Sequence, residues 1–292
     1  MEEEKTRKRV REGYAKIARE GLCCSSPSSC CDSRTTTEEE SRKMGYTEKE
    51  LKSIPAGSDL GLGCGNPVAL ASLKDGETII DLGSGGGIDC FLAAERVGKS
   101  GRVIGVDMTP TMIDKARENA RKGNYKNVEF RLGEIENLPV ANNTADAVIS
   151  NCVVNLALNK KRVFEEAFRV LKPGGRLMIS DIVLLKELPE EVRKGAHPAI
   201  CIQGAMMRDK YIETIRQAGF QDVKIIKETR SSLEDIDDDP NAKVIVADSE
   251  GNTQEFKSIS ELDGKAKEIV REALTATASI SVSAAKPLSD AS

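Results

Sequence analysis

The sequence predicts an α/β fold, a mostly parallel sheet of seven strands with helices on both faces. From Thr78 onward short apolar strands alternate with amphipathic helices, the pattern of parallel strands joined by right-handed crossovers. The first strand ends in a glycine-rich turn, Gly83-Ser84-Gly85-Gly86-Gly87, that leads straight into a helix. The second ends in an acid, Asp107, 20 positions beyond Gly87. In open sheets of this kind ligands bind beyond the carboxyl ends of the strands.

At the N-terminus, Val10, Tyr14 and Ile17 share one face of a helix that ends near Gly21. The Ser/Pro stretch CCSSPSSCCDS follows, carrying Cys23, Cys24, Cys30 and Cys31. Thr37 is expected to cap a short helix ending at Gly45, and Thr47 with Glu50 forms a capping box for the next. PAGSDLGLGCGNP, from Pro55 to Pro67, is a glycine-rich loop around Cys64, and Pro67 suits the first turn of a helix over VALASL. The strands ETIID, GRVIGVD, NVEFRLG, ADAVIS and GRLMISD are interleaved with helices beginning near Ile88, Pro110 and Lys160. Leu188 to Met207 predicts a helical insertion carrying Cys201, DKYIETIRQAGF a helix capped by Gly219, and VKIIKE a sixth strand. KVIVADSEGNTQEF then predicts a hairpin turning at Ser249 to Asn252, ELDGKAKEIVREAL a helix, and SISVSAAKP a strand that closes the sheet. The chain divides accordingly into a helical, cysteine-rich segment (1–72), an α/β core (73–229) and a C-terminal insertion with the closing strand (230–292).

With 292 residues, 39% of them hydrophobic, the chain is long enough to bury a full core. A net charge of −4, 3% aromatics and no Trp argue against a nucleic-acid partner. No apolar run approaches the length of a membrane span and MEEEKTRKRV has no apolar leader, so the expectation is a soluble, cytoplasmic protein with no membrane partner. Eight cysteines in a reducing compartment point to thiol chemistry, ligation or catalysis rather than a disulfide framework.

The turn in IIDLGSGGGIDC lets the backbone approach a ligand without a Cβ in the way, and the helix after it offers free N–H groups. It lacks the last glycine of a dinucleotide fingerprint, because Ile88 stands there. Asp107 lies where a carboxylate would accept from both hydroxyls of a ribose. The G-x-G-x-G form resembles the first motif of class I S-adenosylmethionine (SAM) methyltransferases. That resemblance implies a Rossmann-like core, with Glu134 near the adenine amine and Ile135 near its ring.

The thiols narrow the chemistry. Cys152, in SNCVVNL just past the fourth strand, belongs beside the bound ligand, and Asn151 and Asn155 point to a polar pocket. Cys64 and Cys201 lie on segments that can cover it. Cys90 is read as a buried apolar residue, His197 as a surface residue and Asp181 as a structural strand-end acid. LGCGNPVAL, DLGSGGGIDCFLAA, GVDMTPTM, FRLGEIENLPV, SNCVVNLALNK, FRVLKPGGRLMISDIVL and AICIQGA together resemble the arsenite methyltransferases. The stretch Gly195-Ala196-His197-Pro198 and the long insertion from Arg230 to Thr277 depart from that pattern.

By this resemblance Cys64, Cys152 and Cys201 are the arsenic ligands and the catalytic thiols. Gly83, Ser84, Gly85, Gly87, Asp107, Met108, Glu134, Ile135 and Asn151 would contact SAM, and the pairs Cys23/Cys24 and Cys30/Cys31 would serve thiol capture or exchange. Trivalent arsenic is a soft, pyramidal centre, and three thiolates leave its lone pair aimed outward as a nucleophile that needs no base. Catalysis then comes from holding arsenic in line with the SAM methyl. Transfer oxidises arsenic to the pentavalent state, so an external thiol reductant of the thioredoxin or glutathione type is expected as a partner. Two other readings stand beside it: a class I enzyme methylating a small organic or thiol substrate, and a non-catalytic thiol sink for metalloids.

Overall fold

A computed structural model describes residues 2–20, 33–188, 202, 204–230, 244–247, 253–256 and 264–288. Among the described residues four helices precede the sheet: α1 (Glu2–Glu20), α2 (Ser33–Lys43), α3 (Glu48–Ser53) and α4 (Pro67–Leu70). The capping box forms as expected, with Glu50 N–H donating to Thr47 Oγ1 at 3.2 Å and Thr47 N–H to the Glu50 carboxylate at 2.9 Å. Thr37 is not a cap, since α2 already begins at Ser33. On α1, Val10 and Ala18 are buried while Tyr14 and Ile17 are half-buried, so this helix packs through one stripe, in part against α6 (Pro110–Lys122).

The core then runs β1 (Thr78–Leu82), α5 (Ile88–Val97), β2 (Arg102–Asp107), α6, β3 (Val128–Leu132), β4 (Ala145–Asn151), α7 (Lys160–Val170), β5 (Leu171–Leu184), α8 (Arg208–Gln217) and β6 (Gln221–Thr229). Beyond it lie β7 (Val244–Ala247) paired antiparallel with β8 (Thr253–Phe256), α9 (Gly264–Ala276) and β9 (Thr277–Ala285). The main sheet has seven strands in the order β3-β2-β1-β4-β5-β9-β6. Strands β1 to β5 are parallel, whereas β9 pairs antiparallel with both β5 and β6. The last strand therefore completes the sheet from within and leaves β6 at the edge.

Period-two alternation divides the core between the faces of the sheet. Ile80, Leu82, Ile104, Val106, Phe164, Ile179, Tyr211 and Ile280 pack together in one cluster. Their neighbours Ile79, Val103, Phe91, Phe130, Ile149 and Met178 form the other. Because both faces are covered, β1 and β2 read as near-continuous apolar runs. The strand order reverses between β1 and β4, and the crevice beyond their carboxyl ends is the place this topology offers a ligand.

Residues 189–201 and 203 of the expected helical insertion, Cys201 and His197 among them, lie outside the described residues, as do Cys23, Cys24, Cys30 and Cys31. The insertion's described end, 204–207, is not helical, and Met207 bridges to Leu184.

Candidate active site

A cleft enclosing about 1070 Å³, its open mouth included, sits at that crevice. Gly83, Ser84, Gly85, Asp107, Met108, Glu134, Ile135 and Asn151 all line it, as does Cys152. Gly87 is not among the lining residues. It caps the start of α5 at φ +100°, and a Cβ there would meet Phe91 and Phe130 within 3.0 Å, so its glycine serves aromatic packing under the loop.

Gly83 and Gly85 show two reasons for having no side chain. Gly83 has φ +70° and a Cβ would fall 2.4 Å from Val153 Cγ2, whereas Gly85, at φ +50°, would meet nothing within 4 Å and would point a substituent into open space. Gly85 N–H donates to Asp107 Oδ2 at 3.0 Å, and Thr109 N–H donates to Asp107 Oδ1 at 2.8 Å. Asp107 thus ties the glycine loop to the end of β2. Burial pushes its carboxyl up, and those two N–H groups pull it back down.

Four buried or half-buried acids, Asp59, Asp81, Asp89 and Asp107, share this wall with Glu134 and Glu136. Facing them among the described lining residues is one cation, Arg7 of α1, 3.6 Å from Glu134 and 3.1 Å from Glu136. Burial raises the pKa of Asp59 and Asp81 and carries Asp89 to about 6. An acidic, partly dehydrated cleft suits a cationic ligand. Ser84 Oγ, Asp59 Oδ2 and Arg7 Nε are buried without a hydrogen-bond partner, and buried polar atoms of that kind ask for one. SAM fits: a sulfonium and an ammonium match the acids, its carboxylate the loop N–H groups and Ser84, and its diol Asp107.

Sequence reasoning did not single out Arg7, Tyr46, Asp59 or Asp89. Asn151 explains why Tyr46 and Asp89 matter. Its Oδ1 accepts from Cys64 N–H at 2.9 Å, while its Nδ2 lies 2.8 Å from Gly65 O, 2.8 Å from Tyr46 OH and 3.1 Å from Asp89 Oδ2. Tyr46 OH in turn donates to Asp89 Oδ1 at 2.8 Å. The amide expected to contact SAM thus also fastens the Cys64 loop to the start of α5. A clue was in the sequence: Asn151 directly precedes Cys152 at a strand end.

The Cys64 and Cys152 sulfurs and an Asp181 carboxylate oxygen lie within 4.8 Å of one another. Cys64 O accepts from Ser279 Oγ of β9 at 2.6 Å. Cys152 is buried and takes φ +56°, a left-handed conformation uncommon for a residue with a Cβ. Such strain costs of order 1–3 kcal/mol and concentrates at functional sites. Asp181, expected to be purely structural, is fully buried and receives Tyr211 OH at 3.1 Å. Burial lifts its pKa to about 7. Cys90 is buried beside Asp81, which together with burial pushes its thiol up, so it behaves as the packing residue expected.

The chain is similar to several known proteins. An arsenite methyltransferase of Halobacterium salinarum is 48% identical over 237 residues, 78% of this chain and 61% of that protein. The human arsenite methyltransferase is 40% identical over 154 residues, 49% of this chain and 40% of that protein. The chain therefore spans about three fifths or less of these curated relatives. In the crystal structure of an arsenic(III) S-adenosylmethionine methyltransferase from Chlamydomonas reinhardtii, 28% identical, the match covers 86% of this chain and 74% of that one with a TM-score of 0.59. A family model described as a methyltransferase domain matches residues 73–229, the stretch that builds β1 to β6 and supplies most of the cleft's lining. The chain belongs to the methyltransferase domain family.

Proposed function

We propose that this chain transfers a methyl group from SAM to trivalent arsenic held by the thiolates of Cys64, Cys152 and Cys201. The observation that carries this reading is the meeting of two thiols, Cys64 and Cys152, at the end of the cleft, with Cys152 in its wall. Soft trivalent arsenic favours such sulfurs over oxygen ligands. When bound, SAM supplies an electrophilic methyl on a good leaving group. The protein's part is positional: Asp107, Ser84 and the loop amides hold the cofactor, Glu134 and Ile135 flank its base, and Asn151 and Ser279 fix the Cys64 loop. A lone-pair nucleophile brings no proton, so no general base is assigned. Each turnover leaves pentavalent arsenic, and an external thiol reductant returns it to the trivalent state with two electrons. Cys23, Cys24, Cys30 and Cys31 are proposed to capture or exchange the metalloid, with segment 1–72 closing over core 73–229 and residues 230–292 completing the sheet. The reaction belongs in the cytoplasm, where thiols stay reduced.

The test is incubation of the purified chain with SAM, arsenite and a thiol reductant, with arsenic species quantified over time. Methylated arsenic appearing together with S-adenosylhomocysteine is expected, and Cys64→Ser, Cys152→Ser and Cys201→Ser each abolish it while SAM still binds. No methylated arsenic from a chain that binds SAM refutes the substrate. Full activity in all three variants refutes the three-thiolate site.

A further inference from the structure

Asp181 stands at the end of β5, where sequence alone suggests only a structural acid, yet its carboxylate lies within 4.8 Å of both Cys64 Sγ and Cys152 Sγ. It is fully buried and its orientation is fixed by three neutral donors. Oδ1 accepts from Asn155 Nδ2 at 2.9 Å and from Ile182 N–H at 2.9 Å, and Oδ2 accepts from Tyr211 OH at 3.1 Å. An ionised carboxylate offers about four lone-pair positions, so three bonds leave it capacity to ligate. Lys160 Nζ, the nearby cation, donates to Ala157 O at 3.0 Å. Two thiolates and a carboxylate bring three negative charges into a largely buried place, of which Lys160 offsets one, and a divalent cation compensates the remainder.

The donor set also has the right reach. Zinc binds thiolate at about 2.3 Å and carboxylate at about 2.0–2.2 Å in a tetrahedron, which sets ligand atoms roughly 3.5–3.8 Å apart. The three atoms lie within 4.8 Å of one another, so side-chain movements of up to about 1 Å bring them to this spacing. Trivalent arsenic selects an all-sulfur set, whereas a mixed sulfur and oxygen set suits a borderline divalent ion.

We propose that Cys64, Cys152 and Asp181 form a binding site for a divalent thiophilic cation such as Zn²⁺ or Cd²⁺, and that its occupation keeps the metalloid off the same two sulfurs. The site itself does not depend on arsenite being the substrate; the competition rests on that reading.

The probe is Cd²⁺ alone, added to the full chain with Cys23, Cys24, Cys30 and Cys31 replaced by Ser, under a phosphine rather than a thiol reductant. Equilibrium dialysis is expected to give one tight equivalent, and X-ray absorption at the cadmium edge a shell of two sulfurs with at least one oxygen. Asp181→Asn, checked for fold by circular dichroism and SAM binding, is expected to weaken Cd²⁺ by about tenfold or more. A three-sulfur shell without oxygen overturns the proposal, as does an Asp181→Asn affinity within twofold of the parent. Should that variant fail to fold, the absorption spectrum of the parent decides alone. Saturating Cd²⁺ is expected to suppress arsenite binding, and unchanged arsenite binding overturns the competition. A chain that binds Cd²⁺ as described yet methylates no arsenic keeps the site and loses only the substrate.

Discussion

At the scale of single residues, the buried acids divide by what each one holds. Asp107 gives one oxygen to Gly85 N–H and the other to Thr109 N–H, so Asp107→Ala removes a proposed ribose acceptor and unhooks the glycine loop at once. Charge-assisted hydrogen bonds are worth about 1.5–3 kcal/mol each. Calorimetry is expected to show SAM weakened by roughly tenfold or more with arsenite affinity nearly unchanged; equal SAM affinities would contradict the assignment. Asp89 makes a prediction about pH. Burial, opposed by bonds from Tyr46 and Asn151, raises its native pKa to about 6, from the ordinary carboxylate value of 3.8. Between those values the native state holds more protons than the unfolded one, so this carboxyl's stabilising contribution is present below about pH 4 and lost as pH rises through 6. Asp89→Asn removes that dependence: urea melts should show the variant gaining on the parent from pH 4 to 6 and keeping a constant difference above it. Parallel stability curves would place the titration elsewhere.

At the scale of elements, the glycine loop separates folding from binding. A Cβ on Gly83 collides with Val153, but one on Gly85 stands in open space at the cleft wall. Both residues have positive φ, and a side chain in the left-handed region costs about 1–2 kcal/mol. Gly85→Ala is therefore expected to fold with a modest loss of stability and to bind SAM poorly, whereas Gly83→Ala adds a core clash and melts well below it. Thermal melts and SAM titration distinguish the two, and a Gly85→Ala protein with parental SAM affinity would show that the cofactor does not approach this turn. The loop was legible in the sequence because strand, turn and helix are local. The alternation that gave five parallel strands was equally local. Thr37 misled because a good cap residue gains nothing when the helix already begins at Ser33. Gly87 has a second reason to be glycine, the close approach of Phe91 and Phe130, which the spacing of a motif does not announce.

At the scale of the whole molecule, the proposed metalloid side of the site is assembled from residues that are distant in the chain. The sequence could nominate Cys64 and Cys152 through motifs, but not the contacts that bring them together. Asn151 reaches back 87 residues to Cys64 N–H, and Ser279 donates across 215 residues to Cys64 O at 2.6 Å. Ser279 occupies that position because β9 inserts between β5 and β6, opposite Ile182 in register. Alternating apolar and small residues announced the strand but could not announce its place in the sheet, which rests on pairing with β5, roughly a hundred residues earlier, and with β6, roughly fifty to sixty residues earlier. The proposed cofactor half of the cleft, built from β1, β2, β3 and the loops after them, has no β9 residue among its described lining. Ser279→Ala removes one hydrogen bond to the cysteine loop, worth net about 0.5–1.5 kcal/mol, while β9 keeps its backbone ladder. Calorimetric titrations of the same preparation are expected to show arsenite weakened by roughly two- to tenfold and SAM bound as before. If SAM weakens to the same degree, the two halves of the cleft move together and β9 supports the whole site; if neither changes, the Cys64 loop is held without it.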